Sequence, residues 1–337
     1  MWGAGAIGGT LGAFLARAGH DVTLVDTALE HVAAVNRSGL TISGPIAAFT
    51  TPLPAFTPAT LHGGGAWDTI ILATKAHHTE TAVRALLPHL TPAGCVISAQ
   101  NGLNELAIAA VVGEARTVGA FVNFGADYLE PGAILYGGRG TVMVGEAFGD
   151  RRISPRVTAI RDAWRDFETL AAATANIWGY LWAKEAYGAM LFATALTNES
   201  IADGLARPEY RPLYIALARE ILAVTLARGV HPEAFDGFDP AAYLSAAPAG
   251  AAEQSLDQLV AHNRKSAKTH SGIWRDLAVR KRPTEVDAQL GIVAALGAEA
   301  GVPTPLTSAV VQLIHEIERG QRPQSMEALD ALAGVMT

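Results

Sequence analysis

The stretch Gly3-Ala4-Gly5-Ala6-Ile7-Gly8 constrains this chain more than any other. The spacing G-x-G-x-x-G arises by chance in a glycine-rich chain, and this one holds 34 glycines, so the context of the hexamer decides its meaning. Directly after it, over Thr10–Ala18, the apolar residues Leu11, Phe14, Leu15 and Ala18 recur at helical spacing, and Gly19 is placed to end a helix. An alternating run, Asp21-Val22-Thr23-Leu24-Val25-Asp26, then reads as a strand. Its last residue falls about 20 positions past the fingerprint, where dinucleotide-binding units place a carboxylate against a ribose diol. In such a unit Gly3 permits the tight turn, Gly5 lets the backbone approach a pyrophosphate, and Gly8 allows close packing of helix on strand. Gly3, Gly5, Ala6, Ile7, Gly8 and Asp26 are therefore the candidate dinucleotide contacts. A merely structural glycine turn is the competing reading. Only Met1 and Trp2 precede Gly3, fewer apolar residues than a first strand normally supplies; either the strand is truncated or the turn is supported differently.

A length of 337 residues suggests two domains, and 50% hydrophobic against 17% charged residues suits well-buried globular cores. The net charge of −7 argues against general nucleic-acid binding. The most apolar uncharged run, Tyr187–Thr197, is too short to span a bilayer, and no charged-plus-apolar export segment opens the chain. Cys95 is alone, so neither an internal disulfide nor a cysteine zinc site forms, and no metal is expected. These features predict a cytoplasmic protein without nucleic-acid or membrane partners.

Strand and helix alternate up to about residue 125, as parallel α/β layers demand. Strands are expected at Asp68–Thr74, Cys95–Ala99 and Arg116–Asn123, with helices at Glu80–Leu90 and Glu105–Val112. Ala133–Glu146 reads as a hairpin closing the sheet, Pro45–Pro58 as irregular or edge structure, and Gly63-Gly64-Gly65 as a loop. Beyond about residue 155 long helical segments take over: Trp178–Asn198, Tyr210–Arg228, Glu285–Ala300 and Leu306–Arg319. The expected layout is an α/β doubly wound domain over residues 1–170 followed by an all-helical domain over 171–337, with ligands at the carboxyl ends of the strands.

Lys184 is the strongest candidate for chemistry. Between Trp178 and Asn198 the only charges are Lys184 and Glu185, and Tyr180, Leu181, Tyr187, Gly188, Leu191 and Ala195 share the lysine's helical face. A lysine there loses hydration, which makes it a usable proton donor; the alternative is a lysine snorkelling from an apolar stripe. Glu285 is the second candidate, although Pro283-Thr284-Glu285-Val286-Asp287 is also an ordinary helix start, with Thr284 capping and acids in the first turn. Residues 262–282 hold Arg264, Lys265, Lys268, Arg275, Arg280, Lys281 and Arg282 against one acid, Asp276, which reads either as an anion-binding patch with His270 and Ser271 or as a solvated face. Asn101, in the turn after a strand, offers an amide to the cleft or is simply an Asn-Gly turn, and Lys75 ends the Ile70–Thr74 strand at the ligand-binding edge.

In order and spacing these pieces resemble the ketopantoate reductase (2-dehydropantoate 2-reductase) family. The matching points are the glycine fingerprint through Gly9, Ala73-Thr74-Lys75-Ala76, Gln100-Asn101-Gly102, Pro131-Gly132, Gly145-Glu146, Trp182-Ala183-Lys184, Ser271 with Asp276, Arg282-Pro283-Thr284-Glu285-Val286-Asp287 and Gly301-Val302-Pro303-Thr304-Pro305. The resemblance implies a Rossmann domain and a 6-phosphogluconate-dehydrogenase-like helical domain. It further implies hydride transfer between a nicotinamide and a 2-oxo acid, in class EC 1.1.1. By position Lys184 would be the general acid, Glu285 its partner and a substrate contact, Asn101 a contact to nicotinamide and substrate, and Ser271 a substrate contact.

The departures set further expectations. Family members usually carry asparagines four and eight residues after the catalytic lysine, and this chain has Gly188 and Phe192 there, which predicts altered substrate choice. Asn198 is the candidate substitute. NADPH-preferring members usually place an arginine after the second strand, whereas Val25-Asp26-Thr27 offers an acid, so NAD is expected over NADP. The leading expectation is an NAD(P)-dependent, homodimeric oxidoreductase interconverting a 2-oxo acid, or related carbonyl, with its hydroxy form. Its rivals are a true NADPH-dependent 2-dehydropantoate 2-reductase, oxidation of an alcohol or amino-acid-like substrate, and a non-catalytic dinucleotide sensor.

Overall fold

The computed structural model describes residues 1–61, 66–265 and 269–336, and divides into two compact units, Met1–Ile177 and Trp178–Thr337. The expected loop Gly63-Gly64-Gly65 and the basic residue Lys268 lie outside the described residues.

In the first unit the glycine hexamer leads into α1 (Ala6–Arg17), and Gly19 (φ +98°) turns the chain after its end. The strands β1 (Leu24–Val25) and β4 (Ala55–Phe56) pair in parallel, with α2 (Leu29–Ser38) between them. A five-stranded sheet runs in the order β11 (Ala172–Ala173), β10 (Val142–Glu146), β7 (Thr117–Val122), β6 (Leu90–Ser98), β5 (Trp67–Leu72). Trp2 joins the two parts by parallel bridges to Val25 and Leu72. The short opening strand is supported on both sides: Trp2 and Gly3 donate to Ile71 and Val25, while Val25 and Ala73 donate to Met1 and Trp2. The helices α3 (Thr79–Leu86), α4 (Glu105–Val112) and α5 (Pro155–Trp164) complete this layer. The sheet is thus a doubly wound one, β4-β1-Trp2-β5-β6-β7 in parallel, continued by β10, antiparallel to β7, and by β11 at the edge, parallel to β10.

Two expectations need correction. The helix foreseen to Leu90 stops at Leu86, because Pro88 sits in a 3-10 turn, Leu87–His89, and β6 starts at Leu90. The Ala133–Glu146 hairpin does not form. Instead β9 (Ala133–Gly138) folds back on β8 (Gly125–Glu130) in a second sheet, ordered β3 (Phe49–Thr51), β2 (Leu40–Ser43), β9, β8, while β10 pairs with β7. Gly140 makes the crossing between sheets: a Cβ there would lie 2.3 Å from the Asn123 carbonyl oxygen, so only glycine passes.

The second unit is helical. It comprises α6 (Ile177–Thr194, whose first residue closes the first unit), α7 (Ile201–Ala206), α8 (Arg211–Ala227), α9 (Ala251–Arg264), the single turn α10 (Gly272–Trp274), α11 (Ile292–Glu299), α12 (Pro305–Glu318) and α13 (Met326–Ala333). Most of α6 is core: Leu181, Trp182, Ala183, Ala186, Ala189, Met190, Phe192 and Ala193 are all buried. Glu220 of α8 accepts the Leu306 and Thr307 amides, satisfying the orphan N–H groups at the start of α12 with a negative charge. Two stretches, Arg275–Val279 and Asp287–Gly291, are π-helical. Among the described residues no helix is long and apolar enough to cross a membrane.

Candidate functional site

The first unit gathers its candidates at the carboxyl edge of the parallel strands. A Cβ on Gly3 (φ +95°) would lie 2.7 Å from backbone atoms of Ala73 and Thr74, and one on Gly8 would lie 2.0 Å from the Gly3 carbonyl oxygen. The turn, the helix start and the end of β5 are therefore packed until only glycine fits. Gly5 differs: its Cβ position meets nothing within 4 Å. No acidic residue and no side-chain cap occupies the first turn of α1, so the amides around Ala6 and Ile7 present a positive helix end to that open space. This cradle fits a pyrophosphate.

Asp26 and His31 hold the loop in shape. Asp26 accepts the Ala4 amide at 2.7 Å on one carboxylate oxygen and the Ala28 amide at 2.9 Å on the other, leaving lone pairs for a diol. His31, which sequence reasoning passed over, bonds the Ala4 carbonyl through Nε2 at 3.0 Å and accepts the Gly132 amide on Nδ1 at 3.0 Å. Only the Nε2-protonated neutral ring can do both. Burial lowers its pKa, against the Asp26 charge and the Ala4 bond.

Lys75 is half-buried just past β5, and Asn101 is exposed just past β6. A network that the sequence did not reveal ties their two turns. The Gln100 amide donates to the Thr74 carbonyl and to Thr79 Oγ1, each at 2.9 Å, and Thr79 donates to Asn104. Asn104 in turn donates to the Asn101 carbonyl at 2.6 Å.

In the second unit, the residues of α6 that retain partial exposure are Tyr180, Lys184, Tyr187, Gly188 and Leu191, one continuous stripe on an otherwise buried helix. Lys184 is half-buried there. Leu181, expected on this face, is buried, and so is Glu185, the helix's other charge. Tyr187 stays protonated: burial pushes its pKa up to about 12, and its hydroxyl pairs with the Asn263 amide at 3.1 Å.

Three expectations about this region change. Phe192 is 0% exposed, because eight residues from the lysine is about 80° round the helix, so its ring belongs to the core and only Gly188 lies on the stripe. Asn198 is not on this helix, which ends at Thr194; its amide accepts from Trp274 Nε1 at 3.2 Å and donates to the Gln324 carbonyl at 3.3 Å, a crosslink between loops. The basic stretch is partly self-neutralised, since Arg280 and Arg282 both pair with the buried Asp276.

Ser271 is buried and caps α10, accepting the Trp274 amide at 3.1 Å. Glu285 is buried too, between two anchors on α12. Thr284 donates its amide and hydroxyl to Glu318 at 2.7 and 2.8 Å, and Asp287 pairs with His315 at 3.0 Å. His315 also meets Glu318 at 2.9 Å. Burial alone would lower its pKa, but these two carboxylates outweigh that and raise it.

Residues 1–149 match the family described as ketopantoate reductase PanE/ApbA, and residues 176–318 match that family's C-terminal region. The 2-dehydropantoate 2-reductase of Archaeoglobus fulgidus is 27% identical over 325 residues, covering 95% of this chain and 97% of that protein. The Pyrococcus horikoshii enzyme of the same name is 35% identical over 184 residues, but the match covers 54% of this chain and only 58% of that relative. A ternary structure of D-mandelate dehydrogenase with NADH and anilino(oxo)acetate superposes with TM-score 0.82 at 20% identity, covering 95% of this chain and 99% of that one. A PanE/ApbA family ketopantoate reductase from Ralstonia eutropha JMP134 does so with TM-score 0.77 at 22% identity and the same coverage. At these identities the structural likeness establishes the fold.

Proposed function

The chain belongs to the ketopantoate reductase family, and on that premise we propose that it reduces the carbonyl of a 2-oxo acid to a hydroxy acid, with Lys184 as proton donor and NAD(H) as preferred cofactor. Membership makes it an oxidoreductase that interconverts CH–OH and carbonyl groups with a nicotinamide nucleotide. The observation that carries the finer reading is the open stripe of α6: a half-buried lysine on a partly exposed face of a helix whose other faces are buried.

A bound nicotinamide supplies the hydride. The chain's own residues do the rest. The glycine cradle holds the pyrophosphate, and Asp26 accepts from the ribose diol. Lys184 Nζ delivers a proton to the carbonyl oxygen as negative charge develops there. Glu285, pinned between Thr284 and Asp287, orients the substrate and the lysine. Ser271 Oγ, already an acceptor for the Trp274 amide, keeps its hydrogen for a substrate oxygen. Lys75 and Asn101 contact cofactor and, for Asn101, substrate. Asn198 supports the loop that carries Ser271.

The NAD preference follows from charge. The Asp26 carboxylate repels a 2′-phosphate, and Thr27 offers no cation to meet one. The D-mandelate dehydrogenase complexes hold NADH on this same fold. A ketopantoate reductase of this fold from Staphylococcus aureus is described as dimeric, and a cytoplasmic homodimer is the assembly we infer here.

The test is a panel of 2-oxo and 2-hydroxy acids assayed by the absorbance of reduced nicotinamide, with NAD(H) and NADP(H) separately. Turnover of a 2-oxo acid with NADH supports the reading. Cofactor binding with no turnover across the panel would make the protein a sensor and overturn it.

A further inference from the structure

Gly188 lies on the open stripe one helical turn beyond Lys184. A Cβ built there would meet a single neighbour within 4 Å, the Oε1 of Gln289, at 3.8 Å. Gln289 is only 7% exposed, and among the described residues no hydrogen bond engages its carboxamide. It stands one turn beyond Glu285, to whose carbonyl its backbone amide donates at 3.0 Å. It also sits in the π-helical stretch Asp287–Gly291, a geometry that re-aims side chains and recurs at functional sites. Its amide atoms, without a protein partner but not sealed from the open stripe, are available to a ligand.

We propose that Gln289 is a specificity-determining residue whose carboxamide, held over Gly188, hydrogen-bonds a hydroxyl on the substituent of the 2-oxo acid. The proposal rests on the functional reading above. A carboxamide both donates and accepts, as a hydroxyl does, whereas a substrate carboxylate is better met by a cation. Gly188 is the complement: with no side chain on α6, the space beneath the amide stays open. The absence of an asparagine at position 188 therefore does not abolish recognition of a hydroxyl. The amide comes from the opposite wall instead.

The test compares ketopantoate (4-hydroxy-3,3-dimethyl-2-oxobutanoate) with 3,3-dimethyl-2-oxobutanoate, which differs only by the missing hydroxyl. In Gln289→Met, a substitution of similar length and volume, kcat/KM for the hydroxylated acid should fall about 10- to 100-fold further than for the deoxy acid, mainly through KM. Calorimetric binding of pantoate to the protein saturated with oxidised cofactor should weaken by the same factor, while cofactor affinity holds. Adding Gly188→Asn to Gln289→Met should return much of the preference. If Gln289→Met misfolds, judged by circular dichroism, Gln289→Ala and the addition of Gly188→Asn to it carry the same comparison. An unchanged hydroxyl preference in a folded variant, or an equal loss on both acids without rescue, overturns the assignment of Gln289 and leaves Lys184 untouched. Failure of the wild-type protein to reduce any 2-oxo acid despite normal cofactor binding overturns the functional reading, and this assignment with it.

Discussion

Replacing Gly5 and Gly8 separately by alanine divides the cofactor cradle into a binding part and a folding part. Gly5 has φ −67° and ψ −162°, an extended backbone open to any residue, and its Cβ position is unobstructed to 4 Å. Gly5→Ala should therefore leave the fold intact, and the lower entropy of the unfolded chain should stabilise it by up to about 1 kcal/mol. The added methyl projects into the space the pyrophosphate needs. Backbone amides must approach phosphate oxygens to about 2.9 Å, and the methyl prevents this. Losing one or two hydrogen bonds to a charged group costs about 1.5–3 kcal/mol each, which predicts NADH affinity at least 10- to 100-fold weaker. Gly8→Ala acts the other way. Its methyl would sit 2.0 Å from the Gly3 carbonyl oxygen and 2.9 Å from Ala73 Cβ, and neither is the movable tip of a flexible side chain. Overpacking against fixed atoms costs about 1–3 kcal/mol or more, and a unit of this size loses roughly 2–4 °C per kcal/mol, so Tm should drop by several degrees. Differential scanning fluorimetry and NADH fluorescence titration on the two variants read both quantities. Wild-type NADH affinity in a folded Gly5→Ala protein would refute the placement of the pyrophosphate at this loop.

Lys184→Ala should lower kcat by about 10²–10⁴-fold with cofactor affinity nearly unchanged in fluorescence titration, and near-normal turnover would remove the lysine from the mechanism. Asp26→Asn keeps an oxygen for the Ala4 amide but removes the charge, so the ratio of NADPH to NADH affinity should rise by roughly tenfold. His315 has a raised pKa, so the stability it contributes is complete below its unfolded value of 6.5 and is lost as pH rises through its folded value. The difference in Tm between wild type and His315→Gln should accordingly shrink from pH 6 to alkaline pH. His31 has a lowered pKa and acts oppositely: its contribution is complete above 6.5 and is lost as pH falls below that, which should loosen the glycine loop and weaken cofactor binding in acid.

The doubly wound sheet was legible because its determinants are local. The glycine spacing, the apolar run at Ile70–Leu72 and the turn Gln100-Asn101-Gly102 each announce an element without reference to the rest of the chain. The route of the chain between sheets was not legible in the same way. Residues 133–146 have a hairpin's composition, but the close pass of Gly140 against Asn123 sends the two strands to different sheets, and that contact exists only in three dimensions. His31 shows the same limit. A histidine on an amphipathic helix carries no mark in the sequence of the Ala4 and Gly132 backbone groups that fix its tautomer.

In the second unit, helical spacing from Lys184 marks the glycine at 188 and points to Asn198 as its compensation on the same helix. That spacing holds only while the helix continues, and α6 ends at Thr194. The amide that faces Gly188 comes instead from Gln289, a residue whose own neighbourhood reads as an ordinary helix start. A side chain deleted from one wall and an amide presented from the other are two ends of one packing constraint, because the open face of a buried helix is completed by whatever segment lies across it. Substrate preference in this chain should therefore track the pair Gly188 and Gln289 together. Gly188→Asn alone, with Gln289 retained, places two amides in space left for one and should impair turnover of bulky 2-oxo acids more than of pyruvate. The reverse order across a series of acids of increasing size would show that the two residues do not share a site.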